Sequence, residues 1–154
     1  MKTRTVLLTL ALCLVGISIA VADDANMGAW KLNEAKSKFP AGATKNTSVV
    51  YEAAGDDVKV TVDGTDKDGK AVHSEWTGKF DGKDYPVTGD PNMNARSYKK
   101  IDAHTLMLTG SKDGKVMSEG RISVSADGKT RTVKLTATDS AGKKSKSTAV
   151  YDKQ

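Results

Sequence analysis

One acidic segment has part of the spacing of a calcium-binding loop. Asp66, Asp68 and Gly69, followed by Glu75, occupy what would be the third, fifth, sixth and twelfth positions of such a loop. The first position, however, holds Gly64 instead of an acidic residue, and the flanking residues alternate as strands do. An Asp-Gly pair also supplies the backbone conformations of a tight hairpin. We therefore interpret this segment as a turn and expect no metal site.

Neither the histidines nor the serines have the spacing of a catalytic or zinc site. His73 and His104 are the only histidines, and they stand in different segments without a paired ligand. No serine occupies a Gly-x-Ser-x-Gly turn. Paired carboxylates for glycoside chemistry stay open, although the acidic residues concentrate at turns, where Asp has a backbone role. We expect a protein that is not an enzyme and that uses no cofactor.

The few aromatic side chains are the candidate ligand-binding residues. The chain has 2 Trp, 4 Tyr and 2 Phe. Their ordinary role is in the core, but an apolar ligand also favours an aromatic wall with few polar groups. The candidate residues are Trp30, Tyr51, Trp76, Phe80 and Tyr98.

Short alternating segments must position these side chains. Val58, Val60 and Val62 share one face of such a segment, while Lys59 and Thr61 share the other. Glycine-containing or polar turns near positions 55, 69, 82, 103, 114, 128 and 142 divide the chain into about nine or ten strands. Since nearly every connection is a tight hairpin, consecutive strands should pair in order. This pattern predicts an all-β, antiparallel up-and-down meander that closes into an eight- to ten-stranded barrel.

Small residues recur on the faces predicted to point inward. They are Ser74, Gly78, Gly110, Ser118 and Gly120. A barrel of about eight strands is just wide enough to be filled by side chains or to hold one small ligand. The small residues could therefore leave a cavity, or the glycines could let strongly coiled strands bend. The sequence leaves both interpretations open.

The first 22 residues have the pattern of a secretory signal peptide. Lys2 and Arg4 precede an apolar run over 6–19, and Ala20 and Ala22 form a small-x-small cleavage site. The run of about 14 residues is shorter than the ~20 needed to span a bilayer, so we expect no stable membrane anchor. We expect cleavage after Ala22, a single barrel domain over 23–154, and a periplasmic or secreted protein.

Charge and cysteine content narrow the possible partners. Removal of the leader takes away Lys2, Arg4 and the only cysteine, Cys13, so the mature chain would have a net charge of +3 and no disulfide. The lysines alternate with acidic residues instead of forming one basic face. We therefore expect no nucleic-acid partner, and the oligomeric state stays open.

Two stretches carry resemblances. The segments 28–33 with 36–39, and 80–89, resemble small exported bacterial proteins of unassigned function, over most of the mature chain. More distantly, Gly28 and Trp30 on the first strand resemble the Gly-x-Trp of the lipocalin or calycin group, whose members hold small hydrophobic ligands inside the barrel. The Thr-Asp-Tyr segment of that group is not evident. The arginine that packs on the tryptophan in that group is replaced by lysines in the last part of this chain: Lys143, Lys144, Lys146 and Lys153.

The resemblance implies a lipocalin-like barrel. Together with the export signal, the meander and the small inward residues, it leads us to expect that the barrel binds a small lipophilic ligand in its interior. The alternative is an envelope protein-interaction or inhibitor module that uses the outer face or the loop over 88–94, because loops on rigid β scaffolds commonly carry recognition. A solid interior would favour the alternative.

Overall fold

The computed structural model describes residues 24–154, which form ten β-strands and one short 3₁₀ helix. The predicted signal peptide lies outside the described residues. Within the described range, no helix is long and apolar enough to cross a membrane. The strands are β1 Gly28–Leu32, β2 Lys45–Ala54, β3 Asp57–Thr65, β4 Ala71–Gly78, β5 Tyr85–Thr88, β6 Ala95–Asp102, β7 Thr105–Lys112, β8 Lys115–Val124, β9 Thr130–Thr138 and β10 Lys144–Lys153.

The strands form a closed antiparallel barrel in which each strand pairs with its neighbours in the sequence. The barrel closes where β1 pairs with β10, with Trp30 opposite Lys153 and Leu32 opposite Tyr151. Closure removes the exposed edges that a ten-stranded meander would otherwise present. The sequence prediction of an up-and-down barrel is confirmed, at the upper end of its predicted strand count.

The alternation predicted from the sequence matches the burial of the strands. Val58, Val60 and Val62 of β3 are buried. Separately, Asn33 accepts a hydrogen bond from the backbone N–H of Lys36, so it caps the short helix Glu34–Lys36. The alternation over 72–80 predicts one strand that includes Phe80, but β4 ends at Gly78, so Phe80 lies beyond it. The Cβ of any larger residue at 78 would lie 2.5 Å from the Tyr85 ring, which leaves no room for a side chain there.

Segment 80–82 completes the barrel wall beside the short strand β5. β5 pairs with β4 and β6 at only two positions each. Segment 80–82 instead bonds directly to β6: the N–H of Gly82 donates to Tyr98 O, and the N–H of Lys100 donates to Phe80 O. The Trp76 indole N–H also donates to Arg96 O at 2.8 Å, so it links β4 directly to β6 where the short strand β5 pairs with each of them at only two positions.

One end of the barrel, here called the closed end, carries the first and last described residues, Asp24 and Gln154, and is filled with side chains. The indole N–H of Trp30 donates to the carbonyl of Asn26 at 2.8 Å, and the Lys153 ammonium lies 4.8 Å from the Trp30 ring centroid. A lysine on the last strand thus packs on the tryptophan of the first. The fully buried hydrophobic side chains at this end are Trp30, Val60, Leu106 and Ile122.

The residues before β1 cross the closed end to the opposite side of the barrel. Asp24 accepts hydrogen bonds from the backbone N–H and side-chain amide of Asn26, and it forms an ion pair with Lys100 at 2.8 Å. Lys100 lies on β6, which is five strands from β1 in either direction around the barrel. This contact therefore fastens the N-terminal segment across the full width of the closed end.

The Asp24 carboxyl should make stability depend on acid. Burial acts to raise the pKa of Asp24, but hydrogen bonds from Lys100 and Asn26 outweigh it, and the net pKa lies below its usual value. A lowered folded-state pKa stabilises the fold above the unfolded value of ~3.9, and this contribution is lost as pH falls further. We expect Asp24→Asn to lower the free energy of unfolding at pH 7 by about 1–3 kcal/mol, measured by urea unfolding.

The difference between wild type and Asp24→Asn should shrink as the pH falls below about 4 and through the lowered folded-state pKa, because the Asp24 carboxylate then becomes protonated. The matched control is Asp56→Asn, which removes an exposed carboxylate from the β2–β3 turn and should leave stability within about 0.5 kcal/mol. A pH-independent difference for Asp24→Asn would contradict the ion-pair assignment.

Candidate functional site

The other end of the barrel, here called the open end, leads into a cavity of about 960 Å³. Five connections surround its mouth: β1–β2, β3–β4, β5–β6, β7–β8 and β9–β10. The fully buried side chains of the closed end are not among the lining residues. The barrel is therefore filled at one end and hollow at the other.

Aliphatic and hydroxyl side chains form the cavity wall. On β9 the inward positions are Arg131, Val133, Leu135 and Ala137, so three apolar side chains lead down to one charge. Other apolar wall residues are Val49, Val62, Val72, Met93, Leu108 and Met117, and serines among them include Ser74, Ser118, Ser145 and Ser147.

Arg131 and two tyrosines form the polar part of the cavity lining nearest the closed end. Arg131 Nη2 donates to the Tyr51 hydroxyl at 2.6 Å, and the guanidinium lies 5.1 Å from the ring centroids of both Tyr51 and Tyr151. Only 3% of Arg131 is exposed. Burial raises the pKa of Tyr51 and of Tyr151, so both phenols stay neutral and provide no charge opposite the guanidinium.

A second arginine, Arg96, lies nearer the open end of the cavity and forms an ion pair. Its Nη2 is 3.4 Å from the Asp90 carboxylate and 3.6 Å from the Met93 sulfur. Burial acts to lower the pKa of Arg96, but Tyr98 and Asp90 outweigh it and the net pKa is raised. The ion pair also holds the β5–β6 loop, over 89–93, at the cavity mouth.

The structure separates the five aromatic residues predicted to bind a ligand. Tyr51 and Tyr98 line the cavity, with ring centroids 6.1 Å apart. Trp76 packs edge-on against Tyr98 at 4.8 Å, and Phe80 lies 5.8 Å from Tyr98, so both support the cavity from behind. Trp30 belongs to the closed end and does not line the cavity.

The small inward residues have two different roles. Ser74 and Ser118 line the cavity, so they leave space as one interpretation of the sequence required. A Cβ at Gly110 would lie 2.6 Å from Ser118 Oγ, and one at Gly120 would lie 2.6 Å from Lys134 O. These two glycines permit close packing and do not create the cavity.

Sequence reasoning missed Arg96, Arg131 and Tyr151. Alternation places Arg131 on the same face as Val133 and Leu135, so a charge on an inward face was visible as a pattern. The chain has only four arginines, and lysine is the usual basic residue elsewhere. An inward arginine in a lysine-rich chain was the available signal.

The acidic segment and the histidines form no metal site in residues 24–154. Asp66 Oδ1 accepts the backbone N–H groups of Asp68 and Lys70, which is the role of an Asp in a tight turn. His73 is exposed and contacts Asp63 at 2.6 Å. The hydrogen bond to Asp63 raises the pKa of His73.

Comparison with known proteins gives no family. No family model matches the sequence, and no curated protein matches it. A solved structure of EF1p2_mFAP2b bound to DFHBI aligns with 89% of this chain and 100% of that chain, at 11% identity and a TM-score of 0.49. A solved structure of a redesigned beta barrel, mFAP1, bound to DFHBI aligns with 85% of this chain and 99% of that chain, at 16% identity and a TM-score of 0.45.

The protein is a ten-stranded antiparallel β-barrel with one open end. What it binds has to be derived from its own cavity.

The contact between Arg131 and Tyr51 should contribute to stability. Tyr51→Phe removes the acceptor and leaves a further buried guanidinium N–H without a partner, at a cost of about 1–3 kcal/mol. Tyr151→Phe is the matched control, because Arg131 contacts the Tyr151 ring but does not donate to its hydroxyl. Urea unfolding should show the larger loss for Tyr51→Phe, and equal losses would contradict the assignment.

Proposed function

We propose that this protein is an exported barrel that binds one small lipophilic molecule in its open-ended cavity. The observation that carries the proposal is the hollow half of the barrel, with a volume of about 960 Å³ and an apolar wall. Ligand pockets are typically about 300–1,000 Å³ and mostly apolar, with a few placed polar groups. The wall of Val49, Val133 and Leu135 with Arg131 and Tyr51 beneath it has this composition.

The depth of the cavity supports a ligand with an elongated apolar part. Inward residues of β9 line the cavity from Ala137 near the open end down to Arg131. At about 3.3 Å per residue, the six steps between them correspond to roughly 20 Å along the strand. A chain of about ten carbon atoms fits within that length.

We propose binding without a catalytic step, since the cavity-facing side chains are mainly aliphatic, aromatic and hydroxyl groups. The alternative, a protein-interaction module, would use the loop over 88–94. The ion pair between Arg96 and Asp90 instead holds this loop over the cavity mouth, which supports a role in admitting a ligand.

Filling the cavity should abolish binding. We expect the neutral fluorophore N-phenyl-1-naphthylamine to bind the wild-type protein with increased emission, and Ala137→Phe to weaken binding by about tenfold or more, because the ring occupies the ligand's space. Thr136→Phe is the matched control, since it adds the same ring to the adjacent outward position of β9. Equal binding by the two variants, or no binding by the wild type, would contradict an interior site.

Export should remove the leader before the barrel closes. Asp24 is buried against Lys100 and Asn26, so processing after Ala22 would leave only Asp23 ahead of the contact that spans the closed end. We expect the chain recovered from the periplasm of an expressing bacterium to have an intact mass that begins at Asp23. A mass that includes residues 1–22 would contradict the proposed cleavage.

A further inference from the structure

Arg131 is a buried cation whose hydrogen bonds are incomplete. Nη2 donates to Tyr51, but among residues 24–154 neither Nε nor Nη1 of Arg131 has a hydrogen-bond partner. A guanidinium is positive at every physiological pH and has five N–H donors. A buried charge without a counter-charge is strongly unfavourable, so groups of this kind are normally paired.

The carboxylates that line the cavity have partners of their own, whereas the cations Lys112 and Lys143 lie at its mouth. Asp90 pairs with Arg96, and Lys112 donates to Pro91 O at 3.0 Å. The carboxylates of Asp66 and Asp139 accept backbone N–H groups of their own turns at the mouth. The charge of Arg131 is thus left without a balancing carboxylate from the described chain.

The surroundings of Arg131 also hold it in place. The guanidinium lies between the rings of Tyr51 and Tyr151, and its contact with Tyr51 restricts its rotation. Both phenols are neutral, so neither can act as the counter-ion. Val133 and Leu135 form the apolar wall between Arg131 and the open end.

We infer that the lipophile in the cavity is an anion, with an apolar tail toward the open end and an oxyanion group paired with Arg131. This inference rests on the proposed function and adds the chemical class and the orientation of the ligand. A carboxylate and a phosphate monoester share the required chemistry, because both offer several acceptor oxygens to a guanidinium. The ligand enters tail-last, and its charge completes the hydrogen bonding of Arg131.

Calorimetric titration with decanoic acid and with 1-decanol separates charge from tail. At pH 7.5 we expect the wild-type protein to bind decanoate about tenfold to a hundredfold more tightly than decanol, as is typical of a hydrogen bond to a charged group. Arg131→Met should remove this preference, because decanoate binding loses the ion pair. Arg131→Lys keeps the charge and should retain part of the preference.

The matched control is Arg121→Met, which removes one positive charge from the exposed outer face of β8. It should keep the full preference, whereas a preference that depends only on net charge would fall equally in both Met variants. Decyl phosphate, used in place of decanoate, shows which oxyanion binds more tightly, and a preference of either anion over decanol supports the inference.

Two outcomes separate the inference from the proposed function. Equal binding of decanoate and decanol by the wild type, or a preference that persists in Arg131→Met, would overturn the anion inference and leave the lipophile site standing. Absence of binding by every probe would overturn the proposed function. If Arg131→Met does not fold, the wild-type pH profile still decides: decanoate binding should weaken as the acid becomes protonated, and decanol binding should not.

Discussion

The pairing of β1 with β10 is the contact on which the rest of the structure depends. Every other strand pair joins sequence neighbours, whereas this one joins the two ends of the domain, with Trp30 opposite Lys153. A closed sheet has no exposed edge, and its curvature creates an interior that side chains must fill or leave hollow. The same pair places the Lys153 ammonium over the Trp30 ring, so the strand pair that closes the barrel also contributes to the packing of the closed end.

The two halves of the barrel have different compositions. The closed half is packed with large side chains, among them Trp30, Leu106 and Ile122, and is crossed by the N-terminal segment. The open half has Ser74, Ser118 and aliphatic side chains around a cavity. The large, fully buried apolar side chains Trp30, Leu106 and Ile122 lie in the first half, and the second half is hollow. Arg131 lies beside the cavity near the packed half, where a ligand head group would be best shielded from water.

Much of the fold followed from local patterns. Alternation placed Val58, Val60 and Val62 inside, and the hairpin turns gave the order of pairing, because both depend on neighbouring residues. The candidate functional site was harder to predict from the sequence than the fold. Of the five predicted aromatic residues only Tyr51 and Tyr98 line the cavity, since the depth at which each ring lies depends on the register of distant strands. Arg131 was overlooked because a charge inside a barrel has meaning only once the cavity beside it is known.

We propose that a lipophile occupies the open half of the barrel and not its outer surface. The most direct measurement is methyl NMR of the labelled protein during titration with 1-decanol. We predict shifts at Leu108, Val133 and Leu135, which line the cavity, and none at the exposed Met107 and Val116. Shifts confined to Met107 and Val116, or none at a saturating concentration, would contradict the account.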